Sequence, residues 1–233
     1  MLKLSQSVLE RRVFRQGILD LHIKDFMLGQ TPPYISTNKN VLDVGAAVGM
    51  YTSFFAQHAK HVHAFEAVPP VYSQLKRVES RTENITAYNQ AVSNEVGRFE
   101  FYVDDQRLSN SSFQNLVGGQ KIEVDSITID SMNFTDIGFI KIDTEGTEFE
   151  VIQGAQNTID QNRPNCMVEV YSKFSKYPVE KIFSFFLDRG YRCLYNNKGN
   201  GLVEVDGLKN LIKVAQDETM LPVHDGDFLF INK

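Results

Sequence analysis

The feature that most restricts the fold is the run Val41-Leu42-Asp43-Val44-Gly45-Ala46-Ala47-Val48-Gly49. A short stretch of strand chemistry leads into a turn of glycines and alanines, and a helix is expected from about Met50 to Ala59. Residues this small let the backbone approach a ligand, and the start of the next helix presents free N–H groups. The alternation then repeats. His61–Phe65 reads as a second strand ending at Glu66, an amphipathic helix follows Pro69 and Pro70 to about Ser80, and Ile85–Val92 reads as a third strand. Strand–helix alternation at about 25-residue intervals marks a doubly wound α/β fold with a mostly parallel sheet.

The middle of the chain breaks this rhythm. Arg98–Val103, Lys121–Val124 and Ser126–Ile129 read as short strands around the polar loop Asp104–Gly119, so an inserted β-hairpin region is expected over about 96–130. The alternation resumes with a strand at Phe139–Ile142, a helix at Glu148–Asp160, a strand at Cys166–Val170 and a helix at Val179–Arg189. Tyr191–Tyr195 and Phe228–Ile231 are the expected final strand pair. At the other end, Val8, Leu9, Val13, Ile18, Leu21 and Phe26 recur at roughly helical spacing, and the turn-rich Gly29–Asn40 reads as a linker. A length of 233 residues suits one such domain. The expected organisation is an N-terminal helical segment and linker over 1–39, then one α/β domain over 40–233.

Composition narrows the function. A net charge of −5 argues against a basic surface that grips a polyanion, so nucleic acid is not a favoured partner. No apolar run approaches the roughly 20 residues of a membrane helix, and the early charges of MLKLSQSVLERRVFRQ do not read as a signal peptide. Cys166 and Cys193 lie apart without metal-ligand spacing, as expected of two buried thiols in a reducing compartment. A cytoplasmic location is the expectation.

The first turn lacks the G-x-G-x-x-G spacing of nicotinamide and flavin sites, which fits a cofactor without a diphosphate. Glu66, 17 residues after Gly49, ends the second strand beside that turn, where a carboxylate can accept hydrogen bonds from both ribose hydroxyls. Asn89-Gln90-Ala91 offers an amide and a small side chain for an adenine ring. In Ile140-Lys141-Ile142-Asp143-Thr144-Glu145-Gly146-Thr147-Glu148 a fourth core strand delivers Asp143 to the same sheet edge, and Glu145 and Glu148 suit the positive end of the next helix.

These segments are VLDVGAAVGMYT, HAFEAVP, NQAVS, IKIDTEGTEFEVIQGA and RPNCMVEV. Together they resemble the FkbM family of methyltransferases over roughly residues 40–172. The resemblance implies a Rossmann-like methyltransferase sheet, S-adenosylmethionine as cofactor, and methyl transfer to a hydroxyl of a sugar, glycolipid or polyketide-like acceptor. The cofactor-binding candidates are Asp43, Gly45, Ala46, Gly49, Tyr51, Thr52, Glu66, Ala67, Gln90, Ala91 and Asp143. At three positions the family often has another residue: Asn for Ala47, Pro for Ala67 and His for Thr147.

A hydroxyl becomes a good nucleophile as its proton leaves, so a general base is expected, and Asp143 and Glu169 are the catalytic candidates. Lys141 shares the face of Asp143 by strand alternation and is expected to be a partly buried ion-pair partner. Asp143, Glu145, Glu148 and Glu169 carry oxygens of the kind Mg²⁺ prefers, but a metal is not the favoured reading. His58, His61 and His63 are expected to mark a helix end and a strand face. Ser109–Phe113 suits the lining of an acceptor pocket for a small molecule or glycan. Three competing readings are a nucleic-acid 2′-O-methyltransferase using Lys141, Asp143, Glu169 and Lys173, a non-catalytic adenosylmethionine-binding module, and a nicotinamide oxidoreductase.

Overall fold

The computed structural model describes residues 27, 29–103, 120–173, 175–196, 201–216 and 226–232. The helix expected within 5–28 lies outside these residues apart from its end, as does the loop Asp104–Gly119 with Ser109–Phe113.

Eight strands form the central sheet: β1 (Asn40–Val44), β2 (His61–Phe65), β3 (Ile85–Tyr88), β7 (Ile137–Ile142), β8 (Asn165–Glu169), β9 (Arg192–Asn196), β10 (Leu202–Glu204) and β11 (Asp227–Ile231). Their order is β10-β9-β11-β8-β7-β1-β2-β3. The five strands from β8 to β3 pair in parallel, whereas β11 runs antiparallel to both β8 and β9. The chain first winds outward from β1 through β2 to β3. It then returns to the other side of β1 and winds away through β7 and β8. The reversal falls between β1 and β7, and a crevice opens at the carboxyl ends of strands at such a switch point.

Among the described residues, six α-helices accompany the sheet: α1 (Met50–Phe55), α2 (Pro69–Glu79), α3 (Glu148–Gln153), α4 (Gln156–Asn162), α5 (Glu180–Leu187) and α6 (Leu208–Ala215). Strand alternation sorts the core into two layers. Leu42, Val44, Ile140 and Ile142 pack with Val151, Ile159, Ile182 and Phe186 on one side. Val41 and Phe139 pack with Tyr51 and Phe55 on the other. Asp43 and Lys141 therefore point to the side of α1.

Several elements differ from the sequence reading, each for a local reason. The first helix stops at Phe55, because the side chain of Asn84 caps the carbonyls of Ala56 and Ala59 at 2.8 and 3.3 Å. The expected strand Ile85–Val92 divides. Asn89 donates its amide to the carbonyls of Glu66 and Ala67, the chain turns there, and Ala91–Val92 becomes β4 of a separate three-stranded sheet. That sheet continues with β5 (Gly97–Val103) and β6 (Gln120–Ile127). The two strands expected at 121–129 are this one strand, paired antiparallel with β5 along its length. The helix expected at Glu148–Asp160 is two helices. Gly154 packs against the Ser93 carbonyl, and Asp130 restarts the helix by accepting from the N–H groups of Asn157 and Thr158 at 3.0 and 2.8 Å. A cap supplied by another segment stabilises a new helix start by about 1 kcal/mol. Two elements, β10 and α6, were not anticipated.

Candidate active site

The first turn is built by backbone geometry. Gly45, Ala47 and Gly49 all have positive φ, at +76°, +48° and +87°. Gly45 has no substitute: a Cβ there would lie 1.8 Å from the Asp143 carbonyl oxygen. At Gly49 a Cβ would meet the side chain of Leu75 at 2.9 Å. Ala47 bears a conformation that asparagine adopts more readily. The N–H groups of Gly45 and Ala46 both bond to the Phe65 carbonyl, which ties the turn to the end of β2.

Glu66 continues that tie with its side chain. Oε2 accepts the Ala47 N–H at 3.0 Å and Oε1 accepts the Val68 N–H at 2.7 Å. Burial pushes its carboxyl up to about 7, although both N–H bonds favour the charged form. Each oxygen keeps a second lone pair, so the group remains able to accept from a ligand hydroxyl. Ala67 flanks it, partly buried. The amide of Asn89 braces this corner by donating to the Glu66 and Ala67 carbonyls, while Gln90 is partly exposed and Ala91 is buried.

Beneath the turn lies a polar network away from solvent. Asp43 Oδ2 accepts the Thr52 hydroxyl at 2.6 Å, and Asp43 is wholly buried. Lys141, in register with Asp43 on the neighbouring strand, is 3% exposed. Its ammonium donates to Asp143 Oδ2 at 3.1 Å and to the Gly45 carbonyl at 3.4 Å, and lies 3.8 Å from Asp43 Oδ1. It also sits 4.9 Å from the centre of the Tyr51 ring. Burial raises the Asp43 carboxyl above the ordinary aspartate range, and Lys141 opposes that effect. Tyr51 and Thr52 thus take part in this network beneath the turn.

The fourth strand ends in a second built loop. Glu145 and Gly146 both have positive φ, +55° and +106°. This turns N–H groups toward Glu148, whose Oε1 accepts from Thr144 N at 3.0 Å, Gly146 N at 2.9 Å and the Thr144 hydroxyl at 3.3 Å. Burial raises the Glu148 carboxyl above its usual range despite these donors. The segment after β8 closes over the loop, with Lys176 N bonded to the Gly146 carbonyl and its ammonium paired with Glu150.

This loop and the end of β8 bring Asp143, Glu145 and Glu169 together, with one oxygen of each within 4.8 Å of the others. Such a group suits a proton acceptor, and its oxygens are of the type a hard divalent cation takes. The structure therefore joins the two base candidates, Asp143 and Glu169, and adds Glu145. Glu148 is separated from them by its role as the loop's clamp. The signal for it was present in the spacing D-T-E-G-T-E, where a glutamate two residues after a glycine can fold back on that glycine's N–H. His61 and His63 line a strand face. They bond to Thr86 and Tyr88 across β3, and among the described residues no metal-like group includes them.

A family model for the methyltransferase FkbM domain matches residues 43–193. No curated protein matches the chain. Among solved structures, an FkbM methyltransferase from Methylobacillus flagellatus KT superposes with a TM-score of 0.55 at 15% identity, over 84% of this chain and 44% of that one. The chain thus spans less than half the length of that relative. An rRNA methylase from Streptococcus thermophilus gives a TM-score of 0.37 at 16% identity, over 64% of this chain and 70% of its own. Precorrin-6y C5,15-methyltransferase from Geobacter metallireducens GS-15 gives 0.40 at 12% identity, over 82% and 72%. The fold is a Rossmann-like methyltransferase fold, and the chain belongs to the FkbM methyltransferase family.

Proposed function

We propose that the chain transfers a methyl group from S-adenosylmethionine to a hydroxyl oxygen of a sugar, glycolipid or polyketide-like acceptor. The observation that carries this reading is the contact of Gly45 with Asp143. It joins a turn with room only for hydrogen at its first glycine to a cluster of three carboxylates. The donor suits this turn: Gly45 and Gly49 let it pack close against the Asp143 backbone and the Leu75 side chain, and Glu66 stands at the end of the adjacent strand with accepting capacity to spare.

S-adenosylmethionine supplies an electrophilic methyl on a sulfonium. What remains for the chain is mainly orientation of the acceptor oxygen in line with the S–CH₃ bond. As the O–C bond forms and the C–S bond breaks, the hydroxyl proton passes to a carboxylate of the Asp143, Glu145 and Glu169 group, and the bonding pair stays on sulfur. Asp143 is the favoured base, being fixed by both Lys141 and the contact with Gly45. No helix among the described residues is long and apolar enough to cross a membrane. The test is an acceptor screen with methyl-labelled S-adenosylmethionine read by mass spectrometry. Label on a hydroxyl oxygen of a sugar, glycolipid or polyketide-like acceptor supports the reading, and label on nitrogen, on carbon or on the 2′-oxygen of an RNA would replace it.

A further inference from the structure

Lys141 lies beside the reacting carboxylates, yet its ammonium is turned inward. It is 3% exposed, and what surrounds it comes from four separate places: Asp43 on β1, the Gly45 carbonyl in the first turn, the Tyr51 ring on α1 and Asp143 after β7. An ammonium away from water needs such partners. The arrangement is also selective. The carbonyl it holds belongs to the residue packed against Asp143, and the carboxylate it holds belongs to Asp143 itself.

We propose that Lys141 is a positioning residue that fastens the cofactor turn to the base, touching neither methyl donor nor acceptor. This rests on reading the turn as the adenosylmethionine site. A buried pair kept only for stability would behave differently. Replacing such a pair as a whole by apolar residues is often neutral for the fold, whereas removing Lys141 alone leaves the carboxylates of Asp43 and Asp143 without their cation and lowers stability in either role, so the ligand affinity of the folded protein is what separates the two. A fastening role makes the affinity of the folded protein fall as well, whereas a purely structural role lowers the melting midpoint alone.

The experiment is calorimetric titration with S-adenosylhomocysteine, together with thermal melts, on wild type, Lys141→Met, Asp143→Ala, Asp143→Asn and the double variant Lys141→Met/Asp143→Ala. Lys141→Met should weaken binding by about tenfold or more and Asp143→Ala by about three- to tenfold, while the double variant should bind no worse than Lys141→Met alone. Asp143→Asn keeps an oxygen that accepts from the ammonium and should stay within about threefold of wild type. Additive losses, or wild-type affinity in Lys141→Met, would overturn the proposal. Should Lys141→Met fail to fold, the comparison of Asp143→Ala with Asp143→Asn decides, and equal affinities refute the fastening role. Wild type that binds neither S-adenosylmethionine nor S-adenosylhomocysteine would remove the cofactor reading itself, and the proposal with it.

Discussion

Gly45 and Asp143 meet backbone to backbone: the Gly45 Cα hydrogen that stands where a side chain would begin faces the Asp143 carbonyl, and a Cβ in its place would lie 1.8 Å from that oxygen. The residues are 98 positions apart in sequence, yet β1 and β7 bring them together as neighbours at the switch point. Gly45→Ala must displace either the turn or the base loop, and it also forces a side chain into φ +76°. Positive-φ strain alone costs about 1–3 kcal/mol. For a chain of this size that is a fall in melting midpoint of roughly 2–4 °C per kcal/mol. Calorimetry should show loss of S-adenosylhomocysteine binding in a protein that still folds. Wild-type affinity in Gly45→Ala would mean the turn is not a ligand cradle.

Glu66 should make cofactor affinity depend on pH. Its folded pKa of about 7 lies above the ordinary glutamate value because burial outweighs two N–H bonds. The stability it contributes is therefore fully present below the unfolded pKa and is lost as pH rises through about 7. Ligand binding should run the opposite way. Ribose hydroxyls donate better to the ionised carboxylate, so affinity should rise between pH 6 and 8 by roughly tenfold. Glu66→Gln should flatten that profile at the low-pH level. Glu66→Ala should cost tenfold or more at pH 8, since it also frees the Ala47 and Val68 N–H groups. A flat wild-type profile would separate Glu66 from the ribose.

Glu148 holds its loop through one oxygen that takes three donors. Glu148→Ala leaves the buried N–H of Gly146 and that of Thr144 without this acceptor, at a cost of about 1–3 kcal/mol for each. Melts should show a drop of roughly 5 °C or more on the size scaling above. Glu148→Gln keeps an acceptor and removes the cost of burying charge, so it should melt close to wild type. Equal destabilisation by Ala and Gln would show that the charge, not the clamp, matters.

Asp143→Asn should keep most cofactor binding and lose turnover by about 10²–10⁴-fold, the usual contribution of a positioned proton acceptor. Glu169→Gln is the control, because its carboxylate lies in the same group. If it loses turnover and Asp143→Asn does not, the base is Glu169. Chelator is expected to leave the wild type active. Inactivation by chelator with rescue by Mg²⁺ would instead assign the three carboxylates to a metal.

The parallel half of the fold was legible because β1, β2 and β7 are short apolar runs ending at turn residues or an acid, and those ends are where the chemistry lies. What stayed hidden depended on contacts distant in sequence. The cap that Asp130 places on α4 and the corner braced by Asn89 are side-chain bonds across 27 and 23 residues, and no local period announces them. The strand β10, three residues long and at the sheet edge, carries too short a pattern to read. In the site, the carboxylate positions were readable from strand ends, but the sorting of Glu145 into the cluster and Glu148 out of it follows from two successive positive φ angles. Sequence marks only one of these, with glycine at 146.

The most direct test of the central claim is isothermal calorimetry of the wild-type chain with S-adenosylmethionine, S-adenosylhomocysteine and NAD in turn. The turn from Asp43 to Gly49 and the carboxylate of Glu66 predict saturable binding of the first two and none of the third. Tight binding of NAD with no response to either adenosyl compound would contradict the account.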